Sequence, residues 1–412
     1  MKKIKNIKIY EKVKNLIKSI NKNEKSKKLF KDIKNLIFIF GLTFLFLILW
    51  VNRVNLAPVN VALYVKGKFC SFGIGQGFPY KFDGTKITTE NLKVHDGNIF
   101  ALSDTSFEII NSSGKLIRKI KHKFSNPCLK ISGVRQLIYD IGGKNFKIES
   151  CSGSIYDKET NKEIITAAIS DSGVYSIVTR SVTHLAELTV YSKNNLEKYK
   201  YSFSDSHVTD MVLSADGKEG LVSAISAQNG EVISTIYILD FKSETPKSQF
   251  KLENNIITNV EYLPNGKIVA IGDKYMSFIN TKSKTIENYF YNEKILKFYE
   301  INKEYGVYCC MSSSDNKSKD DLIFINTSGK KTYEITAPEN LTNISWRKNK
   351  IVGLSSGKII SLNENGTING YIKTKYHDKK IILLPGSNAY VLRAETIDKI
   401  KINNLEKYKK SN

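Results

Sequence analysis

Few of the residues that build catalytic and metal centres are present, and none stands in a pattern that chemistry requires. The five histidines, His95, His122, His184, His207 and His377, form no H-x-H or H-E-x-x-H pair, so they read as surface or loop residues rather than metal ligands. Neither G-x-S-x-G nor an S-x-x-K with supporting motifs occurs. Five cysteines, Cys70, Cys128, Cys151, Cys309 and Cys310, are an odd number at irregular spacing without a C-x-x-C, which argues against a disulfide framework. Buried free thiols are expected instead, with at least one of the adjacent Cys309 and Cys310 in a core, because strand neighbours face opposite ways. Long helical periodicity is absent beyond residue 57, and no Pro/Gly-rich linker splits the remainder. Catalytic, cofactor-binding and metal-ligating residues are therefore all expected to be none. Asp171, Asp216 and Asp273 read as caps of their own turns, and the run 312–321 as an exposed inter-strand loop rather than a Ca²⁺ loop.

What is abundant is positive charge, and it is unevenly placed. The 412 residues carry a formal net charge of +23. Residues 1–35 hold thirteen Lys against Glu11, Glu24 and Asp32, a net of +10, while residues 57–412 hold +12. Residues 35–52, NLIFIFGLTFLFLILWVN, contain no charge and are apolar on every side, long enough at about 1.5 Å per residue to cross a hydrocarbon core of roughly 30 Å. The absence of a polar face argues against a buried core helix, and the long charged leader argues against a cleaved signal peptide. The lysine bias keeps residues 1–34 in the cytoplasm. The expected organisation is a basic cytoplasmic leader (1–34), a transmembrane signal anchor (35–52), a stem (53–67) and an extracytoplasmic domain (68–412). That topology separates the domain from cytoplasmic nucleic acid, which is excluded as a partner. Within the leader, Ile4, Ile7, Val13, Leu16, Ile17 and Ile20 recur at helical spacing, which fits either a helix on the anionic inner leaflet or a solvated tail.

Beyond the span, strand formers dominate, broken every 8–12 residues by turn signals. A unit recurs in which an apolar strand ends in Asn or Asp before a polar turn: FEIIN (107–111), SIYD (154–157), IYILD (236–240), MSFIN (276–280), LIFIN (322–326) and IISLN (359–363), with weaker members at LTVYS (188–192) and IKIN (400–403). The spacing averages near 42 residues, the length of a four-stranded propeller blade. A second marker keeps phase with it, a hydrophobic strand running through a tight turn into another strand, at 167–178, 211–222, 260–271 and 383–392. Its turns carry Asp171 and Gly173, Asp216 and Gly217, and Asn265 and Gly266. A sandwich gives alternating strands but not this phase. The fold class is all-β, a β-propeller of eight blades or alternatively seven, preceded by one transmembrane helix.

The pattern resembles WD40-like and quinoprotein-like propellers, although the Trp-Asp dipeptide is absent. The order of leader, span, Gly75-Gln76-Gly77-Phe78-Pro79 and propeller resembles an uncharacterised family of single-pass, membrane-anchored propeller proteins of low-GC Gram-positive bacteria. That resemblance implies no activity.

The stretch "GIGQGFPYKFDG" (73–84) superficially resembles a phosphate loop, but no helix follows it, as a dinucleotide site requires. A structural role fits better. The glycines Gly75 and Gly77 let the chain turn in closely, and Phe78–Phe82 supplies the missing strand that closes the ring. The competing closure uses LEKYKK (405–410). The functional expectation is a non-enzymatic binding or scaffold module of the cell envelope, whose partner is an envelope protein or an anionic polymer. Alternatives are a ligand sensor signalling through the leader, and a quinoprotein-like enzyme.

Overall fold

The computed structural model describes residues 24–51, 53, 56–84, 86–312, 319–338, 340–347, 350–363, 368–374, 378–402 and 406–407. The amphipathic leader pattern, His377, and most of the loop 312–321 lie outside these. Two units are present, residues 1–58 and 59–412. In the first, helix α1 (Glu24–Val51) contains a 21-residue stretch, Lys31–Val51, of mean hydropathy 2.2, long and apolar enough to cross a membrane.

The second unit is an eight-bladed β-propeller. Blades 1 to 8 span 92–121, 127–159, 164–203, 207–253, 257–290, 295–336, 343–373 and 380–401, each an antiparallel meander. First strands of neighbouring blades pack side by side through blades 2 to 5 and blades 6 to 8, which places them innermost. The middle strands are covered on both faces by adjacent blades. Asn98–Leu102, Ser106–Ile110 and Arg135–Asp140 are accordingly buried throughout rather than alternately. Outer strands such as Leu116–Lys121 and Lys331–Thr336 are only partly covered. There is no single core. Eight apolar clusters each lie between two successive blades, as where Leu137 and Tyr139 of blade 2 meet Ile164 and Tyr175 of blade 3.

The repeat marker has a physical basis. Asn111, Asp240, Asn280 and Asn326 end the third strand of their blades, and each Oδ1 accepts main-chain N–H groups from the turn that follows. One member was misassigned: SIYD falls in the outer strand Gly153–Glu159 of blade 2, whose third strand, Asn145–Ser150, ends without Asn or Asp. The missing cap residue made a neighbouring strand the better match.

Two further expectations change. Residues Pro58–Ser71, lacking a strong apolar stripe, nevertheless form a helix, α2. It is held by polar side chains: Asn60 donates to the Asp171 carbonyl (3.0 Å), and buried Arg135 donates to Asn60 Oδ1 (2.7 Å). Glu406–Lys407 does not enter blade 8; it pairs with Tyr371 and Gly370 as a fifth strand on blade 7. The fourth strand of blade 8 is Tyr80–Lys81, paired with Ile397 and Thr396.

Candidate functional site

The sequence-marked residues fall in two places. The first is the approach to blade 8. A Cβ on Gly75 would stand 2.0 Å from the Lys115 nitrogen, so only glycine allows the chain to cross the turn of blade 1 here. Gly77 has open space but adopts φ +87°, and its N–H donates to the Ser113 carbonyl (3.1 Å). The Phe78–Pro79 peptide is cis. Phe78 packs on Tyr390 at 5.3 Å between ring centroids, and Phe82 is buried among Leu92, Ile99 and Ile397. Tyr80 donates its hydroxyl to Glu108 Oε2 (2.6 Å).

The second place is the row of turns between first and second strands. Asp216 accepts from Ser214 Oγ (2.9 Å) and from Lys218 N (3.3 Å) within its own turn. Asp171 instead accepts from Ser132 Oγ of blade 2 (2.5 Å), while its carbonyl receives Asn60 of α2. Gly173 leaves room for the Arg135 guanidinium, and Gly217 for Val174 of the preceding blade. Asn265 and Gly266 take φ +64° and +76°. Asp273 lies in a different turn and accepts from Ile256 N (2.6 Å).

Two surfaces with binding character emerge that the sequence reading missed. One is an open groove of about 470 Å³ between the outer strand of blade 2 and the outer half of blade 3. Tyr191 forms part of its wall and stacks on Tyr175 (5.0 Å). Lys158, Lys162 and Arg180 line it with exposed side chains that have no direct partner among the described residues. Nothing in the local sequence of these cations distinguishes them from other surface lysines.

The other is the inner channel. Lys93, Lys130 and Lys380 lie on the first strands of blades 1, 2 and 8, and Asp210, Glu261 and Glu300 on those of blades 4, 5 and 6. In a closed ring of eight, blades 8, 1 and 2 stand opposite blades 4, 5 and 6. The register supports this: Lys93, Lys130, Glu261 and Glu300 each sit two residues before the last pair joining their first and second strands. Cations thus face anions across the axis, but the separation of sign is incomplete: Glu90 acts on Lys93 and Lys380, and Glu261 pairs with Lys303 of blade 6 (2.9 Å). Lys130 reaches Asp210 at 3.5 Å, and Lys380 donates to the Thr89 carbonyl (2.5 Å). Lys93 and Glu300 make no direct hydrogen bond or ion pair among the described residues. Burial, reinforced by the Lys93 charge, pulls the Lys380 ammonium down to about 8. Burial and then Lys130 lower Lys93, and burial raises the Glu300 carboxyl against the pull of Lys380 and Lys93. Charges within first strands, as in ITNVEYL or ILKFYEIN, were the available signal. Among the described residues no group of three or more His, Cys, Asp or Glu is arranged to hold a metal ion.

The fold is shared with solved propellers of diverse description. The C-terminal WD40 domain of Sif2 has a TM-score of 0.55 at 10% identity, covering 79% of this chain and 99% of that one. The dihydro-heme d1 dehydrogenase NirN in complex with DHE has a TM-score of 0.56 at 10% identity, covering 81% and 74%. BamB from Moraxella catarrhalis has a TM-score of 0.49 at 12% identity, covering 77% and 98%. At such identities the likeness is one of fold alone, and the fold serves a WD40 domain and a dehydrogenase equally. No curated protein matches the sequence. Residues 80–402 match the model of DUF5711, a family of unknown function, and the chain belongs to that family.

Proposed function

We propose that the chain is a membrane-anchored binding module of the cell envelope, with its N-terminus cytoplasmic, its propeller extracytoplasmic, and an anionic envelope partner seated in the groove between blades 2 and 3. The observation that carries this reading is the set of three exposed, unpaired cations, Lys158, Lys162 and Arg180, on the wall of that groove. The lining also holds Glu159, Glu187 and the Lys200–Glu197 pair, so attraction of a polyanion draws on the +12 of residues 57–412 as well as on these cations, and Tyr191 adds apolar contact. The Lys31–Val51 stretch supplies the anchor. In this reading Gly75, Gly77, Phe78 and Pro79 serve ring closure, and the residues of the repeated turns serve blade-to-blade packing.

The test uses the detergent-solubilised full chain as bait on envelope material, across a salt series. The expected result is a polyanionic polymer or acidic protein that wild type retains and a Lys158→Glu/Lys162→Glu/Arg180→Glu variant loses. Equal retention by the two would overturn the groove as the site. A second reading, solute sensing, is favoured by the charged side chains that gather on the first strands around the inner channel. The basic leader (1–34) would then report to the cytoplasm, and deletion of residues 1–30 would abolish the response while leaving solute binding intact.

A further inference from the structure

Helix α2 carries most of its apolar bulk on the side turned away from the propeller. The residues of Pro58–Ser71 that are not exposed are Asn60, Leu63, Gly67 and Ser71, about one for each turn of the helix. That face is held mainly by polar contacts. Asn98 Nδ2 donates to Ser71 Oγ (3.0 Å) and Asn111 Nδ2 to the Ser71 carbonyl (2.9 Å), besides the bonds of Asn60 with Asp171 and Arg135. Val61, Val65 and Phe69, spaced four apart, are exposed, and Phe72 and Ile74 follow just past the helix end. Phe69, Phe72 and Ile74 are 77%, 83% and 92% exposed, three of the four most exposed large apolar side chains among the described residues, all within 69–74. Single exposed apolar residues are ordinary on a protein surface, whereas a cluster marks an interaction site.

Two further observations say what covers this cluster. Only residues 52–57 separate the apolar Lys31–Val51 stretch from the start of α2, and at most about 3.5 Å per residue keeps that start within about 25 Å of the end of the stretch. Residues 33–82 contain no Asp or Glu, whereas exposed Lys66 and Lys68 flank the apolar side of α2, and Lys115 Nζ donates to the Phe72 carbonyl (2.6 Å). Phenylalanines bordered by lysines, without a carboxylate, are what a helix lying among lipid headgroups presents. We propose that α2 and residues 72–74 rest on the extracytoplasmic surface of the bilayer that Lys31–Val51 crosses, with Phe69, Phe72 and Ile74 inserted at the boundary of headgroups and acyl chains. This rests on the membrane span proposed above and is independent of the groove. It also orients the propeller. Asp171 lies in the first-to-second turn of blade 3, and Asn111 in the third-to-fourth turn of blade 1, and in a meander these turns share one end. The groove is lined from the opposite end, by 180–183 between the second and third strands of blade 3 and by 158–162 leading out of blade 2. Seating α2 on lipid therefore turns the groove away from the bilayer, open to a partner.

The experiment measures tryptophan fluorescence of the full chain in nanodiscs of phosphatidylcholine and phosphatidylglycerol, with and without bromine on the acyl chains. Trp50, inside Lys31–Val51, reports on the span through the difference between wild type and Trp50→Phe. Each other reporter is placed in the Trp50→Phe chain, whose remaining signal, from Trp346, is subtracted. Phe72→Trp and Phe69→Trp are independent reporters of the lipid contact, and Val182→Trp, exposed at the opposite end of the propeller, is the control. Brominated lipid is expected to remove at least about half of the Phe72→Trp and Phe69→Trp fluorescence, with emission about 10 nm or more to the blue of Val182→Trp, and to leave the control unchanged. If both reporters keep their signal in brominated lipid while Trp50 loses its own, the proposal is overturned and the span stands. A blue shift without quenching overturns it too, because protein, such as a second copy of the chain, then covers the cluster. Equal quenching of Val182→Trp overturns the orientation. An unquenched Trp50 refutes the span itself, and the lipid seat with it.

Discussion

Ring closure rests on two main-chain pairs from Tyr80–Lys81, so the side chains around them must supply most of its stability. Three substitutions rank those contributions. Phe82 is 3% exposed, and removing its ring forfeits about 200 Å² of buried surface, so Phe82→Ala is expected to cost about 4 kcal/mol. Tyr80→Phe removes the donor to Glu108 Oε2, but Glu108 keeps the Asp83 N–H and the Ser106 hydroxyl on its other oxygen. The expected cost is about 1.5 kcal/mol, the lower end for a bond to a charged group. Lys81 pairs with Glu395 at 3.5 Å at the surface, and Lys81→Ala is expected to fall within about 0.5 kcal/mol of wild type. Urea unfolding of the full chain in detergent, followed by fluorescence, measures all three. If Tyr80→Phe costs as much as Phe82→Ala, the closure is polar rather than hydrophobic and the reasoning fails.

Three further outcomes are expected. Gly75→Ala should destabilise by about 3 kcal/mol because its Cβ meets main chain at 2.0 Å, whereas Gly77→Ala, with open space but φ +87°, should cost about 1 kcal/mol; paired urea curves separate steric from conformational cost. Lys380 has a folded-state value of about 8, below that of the unfolded chain, so the unfolded state binds more protons between those values and stability rises with pH from about 8 towards 10. Thermal midpoints at pH 7 and 9.5 should rise more for wild type than for Lys380→Met, and equal rises would refute the burial argument. Exposed Cys70 should alkylate within minutes in the native protein, while Cys309 and Cys310, both buried with thiols raised by burial, should react only after denaturation; mass spectrometry counts the adducts.

Some of this was legible because it is local. A strand-ending Asn or Asp bonds its own turn, so blade periodicity is written in the residues that make it, as at Asn111, Asp240, Asn280 and Asn326. Where that local bond is missing, at the end of Asn145–Ser150, the reading slipped by one strand. The apolar stretch Lys31–Val51 was equally plain, since a run without charge needs no partner to be recognised. Helix α2 was not legible, because what holds it are Arg135 and Asp171, far away in sequence.

Turn chemistry, strand propensity and hydropathy act over a few residues, so the class of fold, the repeat and the apolar span can be read from local segments alone. The folded ring is what settles that there are eight blades, that Tyr80–Lys81 rather than Glu406–Lys407 completes the last one, and that scattered charges converge. Lys93 and Glu300 are about two hundred residues apart in the chain, yet the ring sets their strands on opposing sides of one channel. That arrangement is a property of closure, which no local segment encodes.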